Sequence, residues 1–457
     1  MHAFTELNLN QALLKALAEL EYTEMTPVQA ASLPAILSKR DVVAQAKTGS
    51  GKTAAFALGL LSQLDATTSK LHGLVLCPTR ELADQVSREI RRLASFIPNV
   101  KVLTLCGGIP RRTHLNSLTH EPHLVVGTPG RILDLLKKKA LPMEALQVLV
   151  LDEADRMLDM GFADAIAEIV AHTPSQRQTL MFSATMPDPI RQFSRQFQHD
   201  PLDVTIKSDA DEVLIEQTFY EVQPHDKLDA LQRLLMQHRP DSAVVFCNTR
   251  QEVRDVHAAL DVQGFSALAL HGELEQRERE EMLVRFANRS CNILIATDVA
   301  GRGLDIKELP MVINFDIAID ADTHLHRIGR TGRAGSRGVA LSLCVPRDAM
   351  RAHAIAEQQG MALRWGKLPR TSNGAPALTA PFVTIAVDAG RQDKLRPGDL
   401  LGALTGDAGL PGDAVGKIDV FPTRSYVAIA RDWHGRAVQR LREGKIKGKN
   451  FRIRNIR

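Results

Sequence analysis

No apolar run in the chain approaches the roughly 18 residues that a membrane helix needs. Nothing near Met1 resembles a basic-then-apolar signal segment. The expectation is a soluble, cytoplasmic protein. Cysteine is sparse and odd in number. Cys77, Cys106, Cys247, Cys291 and Cys344 stand far apart, mostly in apolar runs, which argues against a disulfide framework or a zinc site and for buried free thiols in a reducing compartment. No heptad seam or repeat suggests obligate assembly, so a monomer is expected. Strong net charge is missing too: +4 overall, with a pI near 8.8, permits an anionic partner without naming one. The placement of charge says more. From Pro381 onward 15 Lys and Arg face 8 Asp and Glu, a net +7, which leaves the first 380 residues near −3.

What is present is length and patterning. The 457 residues exceed one core, and at ~100–200 residues per domain they imply two to four domains. Short runs rich in Val, Ile and Leu recur between helix-like stretches, the pattern of parallel strands buried on both faces by crossover helices. One series (around 41–44, 74–77, 124–126, 148–151 and 180–182) fills residues 1–205, and another (around 243–246, 268–270, 293–296, 312–315 and 339–343) fills 219–365. The polar stretch 206–218 between them is expected to be a linker. A second break at 366–380, rich in Pro, Gly and small polar residues, is expected to be a flexible tether. Beyond it, residues 381–457 show strand, helix, two strands, helix, strand, the split βαβ order of a small α+β domain.

The polar signatures follow the apolar runs directly, at the carboxyl ends of strands, where open α/β sheets bind ligands. Ala46, Lys47, Thr48, Gly49, Ser50, Gly51, Lys52 and Thr53 form a phosphate loop: small residues let backbone N–H groups wrap phosphates, Lys52 reaches the β and γ oxygens, and Thr53 can ligate Mg²⁺. About one hundred residues on, Asp152-Glu153-Ala154-Asp155 follows a buried strand. Asp152 is placed to hold Mg²⁺, and Glu153 to take the proton of an attacking water. A plain strand-to-helix turn and an acidic helix start are the bland alternatives, and the pairing of the two motifs weighs against both.

In this order, Asp-Glu-Ala-Asp, Ser183-Ala184-Thr185 and the run from His326 to Arg333 resemble the DEAD-box family of ATP-dependent RNA helicases, over essentially residues 1–365. The resemblance implies two RecA-like parallel-sheet domains and an RNA-dependent ATPase using ATP and Mg²⁺. Tyr22, Phe4 and Thr26-Pro27-Val28-Gln29 resemble its Q motif, in which Gln29 reads the adenine edge and Tyr22 or Phe4 packs on the ring. Glu21 stands where the family usually has Gly, Met25 where it usually has Pro, and Gly301 where Ala is more common. By the same resemblance Arg330 and Arg333 are arginine fingers, Asp305 contacts the ribose and His326 helps couple the lobes; Ser183 and Thr185 are expected to link the phosphate site to the RNA surface as the lobes close together. Pro78, Thr79, Arg80, Gly107, Gly108, Thr128, Arg131, Asn248, Thr249, Gln276, Arg279 and Thr297 would hold the sugar-phosphate backbone, which hydroxyls, arginines and helix-start N–H groups can do without reading sequence.

The last domain has the element order of an RNA-recognition motif but few of the aromatic residues with which such sheets stack bases. Tyr426 occupies one plausible position, whereas Ala428 and Thr384 or Ala386 stand at the others. Binding through basic loops is therefore expected. The strings starting at Leu395, Val415 and Gly444 resemble the bacterial DbpA/YxiN branch of the family. That resemblance implies recognition of a hairpin near the peptidyl-transferase centre of 23S rRNA during large-subunit assembly. Lys394, Arg396, Arg424, Tyr426, Lys445, Lys447 and Lys449 are the candidate contacts. A helicase, an ATP-gated RNA clamp, a chaperone with a dead nucleotide site and a DNA helicase all remain open; intact Lys52, Glu153, Arg330 and Arg333 weigh against the dead site, and the family resemblance against DNA.

Overall fold

The computed structural model describes residues 3–47, 49–206, 215–298, 309–332, 337–370, 376–406 and 409–456. It divides into two compact units, residues 1–211 and 212–457.

In the first unit, lobe one, seven strands form a sheet: β1 (Val42–Gln45), β2 (Gly73–Leu76), β3 (Val102–Leu105), β4 (Leu124–Gly127), β5 (Val148–Asp152), β6 (Gln178–Ser183) and β7 (Leu202–Thr205), in the order β3-β4-β2-β5-β6-β1-β7. Every pairing is parallel. Side chains alternate across a strand, so Val42, Val75, Val148 and Val150 enter one core while Val43, Leu74, Leu149 and Leu151 enter the other. A sheet buried on both faces leaves its strand ends as the place for polar groups.

The second unit holds two sheets. Lobe two contains β8 (Ile215–Glu221), β9 (Ala243–Cys247), β10 (Ala267–Leu270), β11 (Ile293–Thr297), β12 (Met311–Asn314) and β13 (Gly338–Cys344), parallel in the order β10-β11-β9-β12-β13-β8. Strand β8 begins inside the stretch expected to be linker. As an edge strand it is at least partly exposed over Ile215, Glu216 and Gln217 and buried only over Thr218, Phe219 and Tyr220, and it lacks the continuous apolar run of its neighbours. The C-terminal domain is a four-stranded antiparallel sheet, β14 (Phe382–Val387), β15 (Val415–Val420), β16 (Ser425–Ala430) and β17 (Ile453–Asn455), ordered β15-β16-β14-β17. Helices Pro397–Thr405 and His434–Glu443 cover the face that carries Ile385, Val387, Val427 and Ile429.

Its other face is covered as well. Ala386 and Tyr426 cluster with Ile456 and with Val284 of lobe two. Beside them the Asn288 amide lies 2.9 Å and the Ser290 hydroxyl 2.8 Å from Thr384 Oγ1, all buried. The segment leading in is also seated: Leu378 joins the lobe-two core, its carbonyl accepts from Ser266 N, and Ala380 N donates to Ser266 Oγ. The described parts of the expected flexible tether are thus packed, with apolar Leu368, Ala377 and Leu378 as the anchors that its Pro and Gly content obscured.

All five cysteines are buried and free. No helix among the described residues is long and apolar enough to cross a membrane.

Candidate nucleotide and RNA site

The phosphate loop leaves β1 at Gln45 and enters the helix Lys52–Ser62. Gly51 has φ +92°, and a Cβ there would lie 2.5 Å from Gln29 Nε2, so both backbone and space demand glycine. Gln29 Nε2 donates to the Gly51 carbonyl at 3.1 Å while its Oε1 accepts from Thr26 N at 2.9 Å, which ties the Q-motif turn to the loop. Lys52 is buried, and its ammonium donates to the Ala46 carbonyl at 2.6 Å. Burial lowers its pKa against the pull of Asp152 and Glu153.

Asp152, at the end of β5, is pushed up to about 7 by burial and then by Glu153. Glu153 sits in the left-handed region, φ +53°, a conformation costly for a residue with a Cβ. Its carboxylate accepts from Arg156 Nη1 at 2.9 Å in a buried ion pair. Asp155 is the hub. Its Oδ2 accepts from Thr185 N and Thr185 Oγ1, each at 2.9 Å, and from Ala184 N at 3.2 Å, and its own N–H donates to Ser183 Oγ at 3.2 Å. Ser183 and Thr185 are thereby bonded to the acidic motif. The sequence reading gives Asp155 and Arg156 no role; the partners of Asp155 are recognisable only once β5 and β6 lie side by side.

The two aromatic residues of the Q motif differ in setting. Phe4 is buried in the lobe-one core. Tyr22 is half-buried, its hydroxyl donates to Glu89 at 2.7 Å, and its pKa is pushed up to about 12 by burial and then by Glu89. Glu21, in place of the family's usual Gly, has φ +59°, so the turn keeps its left-handed form with a less suited residue.

At the carboxyl ends of β2, β3 and β4 the expected backbone contacts converge. Thr79 caps the helix Arg80–Leu93. The Arg80 guanidinium lies over Gly107 and Gly108, where a Cβ on Gly108 would come within 1.7 Å of it. Gly107 N points to Thr128 Oγ1 at 3.4 Å, and Arg131 Nη2 donates to the Ile109 carbonyl at 2.9 Å. Three separate motifs thus form one patch.

In lobe two, Asn248 N donates to Asp316 Oδ2 at 2.8 Å, and Thr249 caps the helix Arg250–Val262. Thr297 ends β11, Gln276 and Arg279 lie in the first turn of the helix Gln276–Ala287, and Arg330 is buried. His326 lies on the helix Ala321–Ile328. Within that motif the buried Arg327, a residue not singled out from sequence, gathers charged and polar partners. It donates to Asp298 at 2.6 and 2.7 Å, to Asn248 Oδ1 at 2.7 Å and to the Asp316 carbonyl at 2.7 Å. Thr48, Asp305 and Arg333 lie outside the described residues.

Of the C-terminal candidates, Lys394, Arg396 and Lys447 are brought together: Lys447 Nζ donates to the Lys394 carbonyl at 3.0 Å and approaches Asp399 at 3.5 Å, whose carboxylate also accepts from Arg396 N. Lys445 and Lys449 are exposed on the same turn. Arg424 pairs with Asp388 at 3.4 Å. Tyr426 must be set aside as a stacking surface in this arrangement, because it is 5% exposed and its ring meets Phe421 edge-on.

Comparison with known proteins agrees with this geometry. The DEAD/DEAH box helicase family model matches residues 26–193, the helicase conserved C-terminal domain 226–335 and the DbpA RNA binding domain 384–455. The chain is 54% identical, over the full length of both, to the ATP-dependent RNA helicase DbpA of Escherichia coli. It is 43% identical to the DEAD-box ATP-dependent RNA helicase CshA of Geobacillus kaustophilus, over 78% of this chain and 76% of that one. Among solved structures, S. cerevisiae Dbp5 bound to RNA and ADP BeF3 superposes with a TM-score of 0.72 at 28% identity, covering 80% of this chain and 96% of that one. The three family matches, in this order along the chain, and the full-length identity to DbpA make this chain a member of the DEAD-box ATP-dependent RNA helicases of the DbpA type.

Proposed function

We propose that this helicase remodels a 23S rRNA hairpin region near the peptidyl-transferase centre during large-subunit assembly in the cytoplasm, working as a monomer that its C-terminal domain delivers to the RNA. The observation that carries the reading is the split between two kinds of surface. The lobe-one patch of Arg80, Gly107, Gly108, Thr128 and Arg131 offers donors suited to any backbone. The C-terminal domain has its sheet face docked and presents Lys394, Arg396, Lys445, Lys447 and Lys449 on loops.

For the chemistry, Thr53, in the first turn of the helix that follows the phosphate loop, and Asp152, a carboxylate whose charge burial disfavours, suit Mg²⁺, because both are the hard oxygen donors that a small hard cation takes. Mg²⁺ held there would supply positive charge to offset that of the ATP phosphate oxygens. Lys52 holds the same oxygens. Glu153, oriented by Arg156, takes the proton of the attacking water. Arg330 and Arg333 offset the charge that develops on the transferring phosphoryl group, Asp305 holds the ribose and His326 helps couple the lobes. Asp155 then relays changes at the acids to Ser183 and Thr185, so that ATP and RNA favour the same closed state and hydrolysis releases it.

The test pairs ATPase with strand displacement on duplexes that carry or lack the hairpin. Lys394→Glu with Lys447→Glu should lower the preference for hairpin-bearing RNA by at least about tenfold while leaving ATP half-saturation unchanged. Full preference in that variant refutes the delivery role. ATP turnover without strand displacement would leave an RNA clamp in place of a helicase.

A further inference from the structure

His114 belongs to no motif that the function uses. It lies on the short helix Arg111–Ser117, just beyond the Gly107–Gly108 loop, and is 3% exposed. Its Nδ1 is hydrogen-bonded to Arg131 Nη1. A guanidinium can only donate, so Nδ1 accepts and the proton of the neutral ring sits on Nε2. That Nε2 is buried without a hydrogen-bond partner among the described residues.

A buried, unmatched N–H is unfavourable, and an aliphatic or aromatic residue would fill the space without it. The histidine is therefore accounted for by what Nδ1 does. Arg131 is held from two sides, Nη1 by His114 and Nη2 by the Ile109 carbonyl at 2.9 Å. The helix of His114 is tied to the helix of Arg131 a second time, through Arg111 and Asp134 at 3.4 Å. Two anchors on the two terminal nitrogens fix the guanidinium plane, and a fixed plane loses less freedom when it meets a phosphate.

We propose that His114 is a positioning residue for RNA: by accepting from Arg131 it holds that guanidinium in the orientation that meets a backbone phosphate. The proposal rests on the reading of Arg131 as a phosphate contact. Burial, and then the charge of Arg131, hold the His114 pKa down at about 4, so the ring stays a neutral acceptor through the working pH range.

The experiment measures, on the full chain, the RNA concentration that half-saturates ATPase, the turnover at saturating RNA and the half-saturating ATP. His114→Ala should raise the RNA requirement about tenfold, the loss of one hydrogen bond to a charged group, with turnover and ATP half-saturation unchanged. His114→Asn, whose Oδ1 can stand where Nδ1 does, should recover most of the loss. In an Arg131→Ala background, His114→Ala should add nothing, an outcome that a merely structural histidine would not give. Should His114→Ala fail to fold, His114→Phe fills the space without an acceptor and takes its place. Independent, multiplying effects of the two positions, or an Asn variant as weak as Ala, overturn the proposal. An Arg131→Ala protein with an unchanged RNA requirement overturns the phosphate-contact reading itself, and the role of His114 with it.

Discussion

In lobe one the working groups stand at the ends of strands; in the C-terminal domain the corresponding decision was made on the face of a sheet. Strand ends of a doubly covered sheet are left over from packing, so Lys52, Asp152 and Ser183 occupy places that no core residue contests. A face is different. It must be covered by something, and on β14 and β16 Thr384, Ala386 and Tyr426 are covered by lobe two. The difference teaches that a fold's usual ligand surface can be consumed by intramolecular packing.

Four experiments break or sharpen that contrast. The largest effect belongs to the strand-end site: Glu153→Gln should lower ATP turnover by about 10²–10⁴ while ATP and RNA still bind, and parental turnover would remove Glu153 from the chemistry. Next comes a buried group outside both regions. His324 Nε2 donates to Gln217 Oε1 at 3.0 Å, and burial, then Arg327, press its pKa down to about 4. The unfolded chain binds a proton near pH 6.5 that the folded lobe refuses, so stability is lost as pH falls from about 6.5 toward 4, by at most roughly 3 kcal/mol. Replacing His324 with Gln should flatten that acid arm in chemical denaturation, and an unaltered slope would assign it elsewhere.

The docked face yields the third effect. Asn288→Leu strands the Thr384 hydroxyl with fewer partners and should destabilise the second unit by about 1–3 kcal/mol. Asn288→Leu with Thr384→Val, apolar on both sides, should recover much of it in the same melting experiment. Additive losses would mean that the pair is not a working contact. The smallest effect returns to lobe one. Glu21→Gly relieves a left-handed φ of +59° and should shift stability by under about 1 kcal/mol, upward or near neutral; a clear loss would show that the Glu21 side chain itself matters.

Legibility followed the same division. Motifs that depend on local spacing, the phosphate loop, the acidic tetrad and the Q-motif glutamine, lie at the strand ends and turn that periodicity indicated, and the C-terminal element order is the strand, helix, two strands, helix, strand read from sequence. What escaped depends on partners brought together by folding. Asp155 meets Thr185 across 30 positions, His114 meets Arg131 across 17, and Asn288 meets Thr384 across 96. Arg327 was passed over because a surface arginine and a buried one look alike until Asp298, Asn248 and Asp316 surround it. Strand β8 escaped for a different reason, since an edge strand needs no continuous apolar run.

The five cysteines have a practical consequence. Burial holds Cys106 and Cys291 up at about 12 and Cys344 at about 11, and drives Cys77 and Cys247 well above the ordinary thiol range. A thiolate is the reactive species, so alkylating reagents reach these sulfurs only through opening of the surrounding core. Two of them report on lobe one and three on lobe two. The native chain is thus its own set of unfolding reporters, and a single cysteine introduced on the surface can be labelled selectively without removing any of them.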